Sequence, residues 1–253
     1  MMRLSKSAYF VHIPKTAGNS VRQALRQQNL LSNPGDIKSE RVHHFGKSNA
    51  KRVKDSHLSF KTDCFPCYKN LDQYTNSKFS FTIVRNPYDL LVSYYSHYLD
   101  RSNTPKNWID DGWANVNGYH NISSFKQFID IYCNCDPEEW HVPELNKNLF
   151  GQIFDDENQP LVNYAVYFEN IESNLLSVFW HEKIILEYLF LERTLISNRR
   201  NGRNYKDFYD ESMVEMVRKK CEWELSQFVY SFDNMLHSDS FQPRVIKDKE
   251  IEG

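Results

Sequence analysis

Residues 79–89 read Phe-Ser-Phe-Thr-Ile-Val-Arg-Asn-Pro-Tyr-Asp and combine the strongest strand pattern in the chain with an abrupt change to helix. The first six residues are largely aromatic or β-branched, which favours a buried strand. The strand pattern ends at Arg85-Asn86, and Pro87 suits the first position of a helix. We expect that helix to run to about Leu99. A strand that leads directly into a helix is typical of α/β folds.

Two further strand–helix units lie before and after this stretch. Residues 9–13 form a short strand pattern that Pro14 stops, and a helical period begins at Ser20. Residues 164–168 predict a third strand, with a helix near residues 175–179. Alternating strands and helices predict an α/β fold, a P-loop-like domain with a central parallel β-sheet flanked by helices. In such sheets ligands bind outside the carboxyl ends of the strands.

Two later helices are indicated by caps and periodicity. Ser124 is a predicted N-cap, followed by an inward face of Phe125, Phe128, Ile129 and Tyr132. Ser212 and Glu215 have the spacing of a capping box. The helix that they open is expected to turn these residues inward: Val214, Val217, Cys221, Leu225 and Phe228.

The length and composition predict one globular domain. The chain has 253 residues, of which 40% are hydrophobic and 25% charged. We expect a single domain over residues 1–237, an inserted loop at about 100–120, and a polar, flexible tail over 238–253.

The net charge and the hydropathy of the chain limit which binding partners and which cellular location we expect. The net charge of −2 argues against a general nucleic-acid binder, so any anion site must be local. No segment approaches the roughly 20 apolar residues of a membrane span. The start of the chain is too short and polar for a secretory signal, which predicts a cytoplasmic protein.

Four of the five cysteines form two close pairs, Cys64 with Cys67 and Cys133 with Cys135. The spacing is compatible with a zinc site, with disulfides or with free thiols. The odd number of cysteines and the lack of a signal peptide argue against a disulfide framework.

Residues 12–20, His-Ile-Pro-Lys-Thr-Ala-Gly-Asn-Ser, join the first predicted strand to its helix. Such a loop presents backbone N–H groups and the positive end of a helix dipole, which together bind anions. Gly18 allows close approach of a ligand, and Lys15 adds a mobile positive charge. Additional side-chain donors are Thr16, Asn19 and Ser20. The alternative is a proline-containing turn with Ser20 as a helix cap.

This loop differs from the nucleoside-triphosphate P-loop. That motif places its lysine after the last glycine, directly before the helix. Here Lys15 precedes Gly18 by three residues. A lysine at the start of the loop would reach a different atom of the phosphate chain.

A second candidate anion site follows the strand of residues 79–84. Arg85 leaves the strand where its guanidinium can fork onto a phosphate. Ser93 lies eight residues later, on the following helix, and can donate to the same group. The alternative is that Arg85 pairs with Asp89 and Ser93 fills a helix face.

Both loops resemble one family. Residues 10–20 resemble the 5′-phosphosulfate loop of the membrane-type carbohydrate sulfotransferases, the group that includes heparan sulfate 2-O-sulfotransferases and bacterial relatives. The resemblance implies that Lys15 contacts the bridging oxygen of the leaving phosphate. It implies a 5′-phosphate site made by Thr16, Ala17, Gly18, Asn19 and Ser20. Residues 81–95 resemble the family's 3′-phosphate signature, which implies that Arg85 and Ser93 bind the 3′-phosphate of 3′-phosphoadenosine 5′-phosphosulfate (PAPS).

Two later segments resemble the family more weakly. Residues 167–171 resemble its third-strand segment, and residues 197–210 resemble the segment that closes over the nucleotide. The basic cluster Arg199, Arg200 and Arg203 can contact the cofactor or an anionic acceptor. The alternative is a solvated basic loop.

Sulfuryl transfer to a hydroxyl needs a base and a cation but no metal. A base near neutrality removes the hydroxyl proton, and a lysine stabilises the charge that develops on the leaving phosphate. Relatives carry a histidine between the two phosphate motifs, beside a segment that Ser48-Asn49-Ala50 resembles, although Lys47 stands where that histidine is often found. His44 is our first candidate and His43 the second. Both are also compatible with exposed loop histidines.

The predicted function is in-line transfer of a sulfuryl group from PAPS to a hydroxyl acceptor, a carbohydrate or a small molecule. Two alternatives are a P-loop kinase or NTPase and a non-catalytic PAPS-binding relative. The kinase alternative needs a Walker lysine and a Mg²⁺-binding Ser or Thr, which the loop does not supply.

Overall fold

The structure is a computed structural model. It describes residues 8–11, 13, 15–27, 79–102, 122–134, 149–150, 153, 160, 162–183, 202–233 and 244–245. The strands within these ranges are β1 (Ala8–Val11), β2 (Phe79–Val84), β3 (Tyr164–Tyr167) and β4 (Arg244–Val245). The α-helices are α1 (Gly18–Gln27), α2 (Pro87–Ser102), α3 (Phe125–Asn134), α4 (Ile171–His181), α5 (Glu211–Lys220) and α6 (Glu222–Gln227). Two 3-10 turns cover Phe168–Asn170 and Tyr205–Phe208.

The four strands form one sheet in the order β1-β2-β3-β4. β1 and β3 both run parallel to β2, with Phe10 opposite Phe81 and Thr82 opposite Ala165. β4 is antiparallel to β3, with Arg244 opposite Ala165. The α/β class is therefore confirmed, and the carboxyl ends of three parallel strands meet at one edge.

Helices α1 and α4 cover one face of the sheet. Phe81 stacks on Phe10 with ring centroids 5.0 Å apart and meets Phe179 of α4 edge to face. The core on this face consists of Phe10, Val21, Ala24, Phe81, Ile83, Tyr164, Val166, Leu175, Val178 and Phe179. Each fully buried Val, Leu, Ile or Phe side chain among them contributes roughly 1.5–3 kcal/mol. This packing fixes where α1 begins relative to the end of β1.

Helices α2, α3, α5 and α6 contribute to the core on the other face. Because successive side chains of a strand alternate in direction, Val84 and Ala165 point to this face. The predicted inward face of α3 is confirmed, since these residues are buried: Phe125, Phe128, Ile129 and Tyr132. The sheet is thus covered by helices on both faces.

Several predicted element ends need correction. β2 has the predicted bounds, but β1 ends at Val11 and not at residue 13, and Phe168 already belongs to a 3-10 turn. α1 begins at Gly18, two residues before Ser20. β1 and β3 therefore end earlier than hydrophobicity suggests, and α1 begins earlier than its periodicity suggests.

Two segments predicted to be irregular contain regular structure. α2 continues to Ser102, so the first residues of the loop predicted at 100–120 are helical. β4, at residues 244–245, lies within the predicted flexible tail and pairs with β3. Both segments are held by backbone hydrogen bonds, and the polarity of the side chains does not indicate whether such bonds form.

The predicted capping box at Ser212 is wrong. The N-cap of α5 is Asp210, whose Oδ1 accepts the N–H of Met213 at 2.8 Å. Ser212 lies inside the first turn, and its hydroxyl donates to the same carboxylate oxygen at 2.7 Å. A carboxylate before the first turn also interacts favourably with the helix dipole, so Asp210 takes the cap.

The predicted continuous helix through Cys221 is two helices. α5 ends at Lys220, and α6 begins at Glu222. Hydrogen bonds of helical spacing nevertheless cross the break, from Cys221 N to Val217 O and from Leu225 N to Cys221 O. The inward residues Val217, Cys221, Leu225 and Phe228 are therefore all buried, as the periodicity predicted, whereas Val214 is partly buried.

Candidate functional site

The loop between β1 and α1 contains two residues with left-handed backbone. Lys15 has φ +65° and Ala17 has φ +67°. Such a conformation costs a non-glycine residue on the order of 1–3 kcal/mol, so surrounding contacts must hold it. Backbones that alternate in hand direct successive N–H groups to one side and form a concavity for anions. The loop therefore has the backbone geometry that its anion-binding interpretation requires.

Two hydrogen bonds restrain this loop. The Thr16 hydroxyl donates to the Ile13 carbonyl at 2.7 Å, and both residues are fully buried. The Val21 N–H donates to the Ala17 carbonyl at 3.1 Å, which makes Ala17 the N-cap of α1. Because the single proton of the Thr16 hydroxyl is used inside the loop, Thr16 offers a ligand its backbone N–H.

The remaining loop residues start α1. Gly18 is buried at the first position of the helix, followed by Asn19 and Ser20. Ser20 is thus inside the first turn and is not the cap of the alternative interpretation. The first turn of a helix directs its N–H groups out of the helix end, where an anion is favoured.

Arg85 is buried at the end of β2 and held on two sides. Its Nε and Nη2 lie 2.7 Å and 2.6 Å from Oδ2 of Asp89. Its guanidinium carbon lies 4.2 Å from the ring centroid of Phe168. The pairing with Asp89 is the one that the alternative interpretation predicted. Two contacts to one carboxylate oxygen and an aromatic ring against the guanidinium together restrain its position.

Arg85 also connects the two candidate phosphate loops. Its Nη1 donates to the backbone carbonyl of Lys15 at 2.8 Å. Of the five N–H donors of a guanidinium, the contacts to Asp89 and Lys15 use three. The other two, one on each Nη, have no hydrogen-bond partner within the part of the chain that the structure describes. These two donors are compatible with binding a phosphate at this edge.

Ser93 lies on the same face of α2 as Asp89. The two residues are four apart in the helix, which separates their Cβ atoms by about 5–6 Å. Ser93 is half-buried. The structure therefore brings the hydroxyl of Ser93 within one turn of the carboxylate that holds Arg85.

Asn86 joins the ends of β2 and β3 to the segment after α6. Its backbone N–H donates to Glu169 Oε1 at 2.8 Å, and its side-chain amide donates to the Ser231 carbonyl at 2.9 Å. It is also the N-cap of α2, because its Oδ1 accepts the N–H of Tyr88 at 3.0 Å. This network fixes the start of α2 and with it the position of Arg85.

Glu169 is held by two donors and not aimed at an open space. Besides Asn86, the Tyr230 hydroxyl donates to its Oε2 at 2.8 Å. Burial raises the pKa of the Glu169 carboxyl, and its hydrogen bonds and the charge of Arg85 oppose that shift. Its contacts are those of a residue that positions the neighbouring loop.

Sequence reasoning assigned no role to Phe168, Glu169 and Asn86. The available signal was the polar pair Glu169-Asn170 just after the third strand, at the edge of a parallel sheet where ligands generally bind. Nothing in the sequence connects this pair with residue 86, because the bond spans 83 residues of chain.

Several predicted residues lie outside the described ranges: His43, His44, Arg199, Arg200, Cys64, Cys67 and Cys135. Cys133 and Cys221 are free thiols. Arg203 stacks on Phe208, with its guanidinium carbon 4.4 Å from the ring centroid.

Within the described ranges no three acidic, histidine or cysteine side chains are grouped as a metal site. None of the helices in those ranges is long and apolar enough to cross a membrane.

A sequence model of the Sulfotransferase family matches residues 2–231, which is most of the chain. No curated protein matches the chain. The matched range contains both candidate phosphate loops and strand β3.

Proposed function

The chain belongs to the sulfotransferase family, and on that premise we propose that it transfers a sulfuryl group from PAPS to a hydroxyl acceptor by in-line displacement. The observation that carries this proposal is the 2.8 Å bond from Arg85 Nη1 to the Lys15 carbonyl. It brings the loop that resembles a 5′-phosphosulfate site next to the arginine that resembles a 3′-phosphate ligand. A P-loop-like arrangement of the domain is part of the same proposal.

The residues present fit PAPS. Arg85 keeps two N–H donors for a 3′-phosphate after its contacts to Asp89 and Lys15. The loop of residues 15–20 has left-handed residues and a helix N-terminus, which favour a 5′-phosphate. When bound, PAPS supplies the activated sulfuryl group. Ser93 is the proposed second donor to the 3′-phosphate.

The protein supplies a cation, a base and a fixed geometry. The Lys15 ammonium stabilises the negative charge that develops on the leaving phosphate. His44, or failing that His43, accepts the proton of the acceptor hydroxyl. Arg199 and Arg200 are proposed to contact the nucleotide or an anionic acceptor. The proposed acceptor is a carbohydrate, or a small molecule with a hydroxyl group.

Nucleotide binding tests the proposal directly. Calorimetric titration should give clearly tighter binding of 3′-phosphoadenosine 5′-phosphate than of AMP, because the two nucleotides differ only in the group assigned to Arg85 and Ser93. Equal affinities would contradict the assignment. A Mg²⁺-dependent preference for ATP would favour a kinase.

A transfer assay then separates an enzyme from a non-catalytic relative. Labelled PAPS, offered with a panel of glycans and small alcohols, should yield labelled product with at least one acceptor. Tight binding of 3′-phosphoadenosine 5′-phosphate without any transfer would instead indicate a protein that binds PAPS without turnover.

A further inference from the structure

We infer that Arg85 is a positioning residue for Lys15, in addition to the phosphate-binding role proposed above. The inference rests on the proposed function, because Lys15 matters only if its loop binds the donor. It concerns the backbone of the first loop and does not involve the 3′-phosphate.

The backbone at Lys15 needs an external restraint. Its φ of +65° lies in the left-handed region that glycine favours, and the φ of Ala17 lies in the same region. Two hydrogen bonds inside the loop act on neighbours of Lys15: the Thr16 hydroxyl binds Ile13, and the Ala17 carbonyl binds Val21. The carbonyl of Lys15 itself is bound by Arg85. Arg85 thus holds the peptide group that follows the strained residue.

Arg85 is rigid enough for this task. Asp89 takes one edge of its guanidinium, and the Phe168 ring lies beneath its plane. The side chain is only 8% exposed. Asp89 lies on α2, and Phe168 directly follows β3. Through these two contacts Arg85 fixes the loop after β1 relative to α2 and β3. A charged donor on a carbonyl is also stronger than a neutral one.

AMP separates this role from phosphate binding. AMP lacks the 3′-phosphate, so its phosphate can report only on the first loop. If Arg85 holds that loop, Arg85→Met should weaken AMP binding by about tenfold or more. If Arg85 binds only the 3′-phosphate, the variant should lose affinity for 3′-phosphoadenosine 5′-phosphate and keep the wild-type affinity for AMP. That second result would overturn the inference.

Hydrogen exchange provides a readout without ligand. In Arg85→Met the amides of residues 15–20 should exchange faster than in the wild type, while the amides of α3, on the face of the sheet opposite α1, keep their rates. Unchanged rates at residues 15–20 would overturn the inference. This measurement remains informative if the wild type binds no nucleotide, a result that would contradict only the proposed function.

Two further variants control for folding. Arg85→Met removes the cation that pairs with the buried Asp89 carboxylate, so the double variant Arg85→Met/Asp89→Asn should be measured in parallel and show the same loss of AMP affinity. Arg218→Met is the matched control, because Arg218 forms an equally short fork with Glu215 on the exposed side of α5. It should leave both affinities and the loop exchange rates unchanged.

Discussion

The Thr16 hydroxyl and the Arg85 guanidinium both bind other parts of the protein at the sheet edge. Thr16 donates to the Ile13 carbonyl, and Arg85 donates to the Lys15 carbonyl. A residue of a type that suits phosphate binding can therefore hold the protein backbone instead. At the scale of the residue, a role has to be assigned atom by atom.

Lys15→Ala tests the cation at the leaving group. The rate of transfer should fall by on the order of 10²-fold or more, comparable to the loss of one oxyanion donor. Binding of 3′-phosphoadenosine 5′-phosphate should change little, because alanine keeps the backbone carbonyl that Arg85 binds. Lys126→Ala is the control, since Lys126 lies on the exposed side of α3 beside Asp130. Unchanged turnover would remove Lys15 from the mechanism.

His44→Ala tests the proposed base. Most turnover should be lost while nucleotide binding stays normal, because the base acts on the acceptor. The wild-type rate should also fall at acidic pH, since a protonated imidazole accepts no proton. His43→Ala should be milder. A dead His43→Ala beside an active His44→Ala would exchange the two roles, and two active variants would place the base elsewhere.

At the scale of the element, the end of α6 combines regular hydrogen bonding with a strained residue. Val229 has φ +56°, and its side chain is 65% exposed. The Tyr230 N–H donates to Leu225 O and the Val229 N–H to Ser226 O, the bonding pattern of a Schellman cap. Glycine is the usual residue at this position, because a β-branched side chain there is strained. The cap leads directly into Tyr230 and Ser231, which bind Glu169 and Asn86.

Val229→Gly should therefore stabilise the fold. Relief of the left-handed strain contributes about 1 kcal/mol, and little buried apolar surface is lost. Denaturant unfolding measures the change as a higher midpoint. Val214→Gly, the same substitution inside α5, should lower the midpoint because glycine weakens a helix interior. A lower midpoint for Val229→Gly would mean that the valine side chain stabilises the fold by more than its backbone strain costs.

At the scale of the whole molecule, distant segments of chain meet at the functional edge and in the core behind it. Asn86 contacts Glu169, 83 residues away, and Ser231, 145 residues away.

In the core between α3 and α6, Glu224 is 1% exposed, and its Oε1 accepts the N–H of Leu149 at 2.6 Å. Its Oε2 has no hydrogen-bond partner among the described residues. Burial raises the pKa of the Glu224 carboxyl to about 7, with the Leu149 hydrogen bond and the charge of Lys220 opposing the shift.

Glu224 should make stability fall as pH rises. Its folded pKa lies above the unfolded value of 4.5, so between that value and about 7 the unfolded chain releases a proton that the folded protein retains. The destabilisation is complete above the folded pKa. Glu224→Gln, which keeps an acceptor for Leu149, should be more stable than the wild type at pH 8 by up to about 3 kcal/mol. The two proteins should differ little near pH 4.5, and parallel pH curves would contradict the assignment.

Local periodicity accounts for what could be predicted about the elements. The alternation and β-branched residues of 79–84 predicted both ends of β2, and the spacing of Phe125, Phe128, Ile129 and Tyr132 predicted the buried face of α3. These patterns are local because burial of one face acts on residues two, three or four positions apart. The loop motifs likewise predicted a sulfotransferase, because each motif is a contiguous stretch of chain, and the carbohydrate-sulfotransferase group that they resemble stays a prediction.

The partners of individual polar atoms depend on assembly of the sheet. Pairing of β1 with β2 is what brings the Lys15 carbonyl to Arg85, 70 residues along the chain. Pairing of β2 with β3 is what brings Phe168 beneath the guanidinium and Glu169 to Asn86. The N-cap of α5 is likewise Asp210 and not Ser212, because the helix begins at Glu211, two residues before the start that the sequence pattern predicted. A hydrogen bond needs an alignment within a few tenths of an ångström, and for distant residues that alignment exists only after the strands have paired.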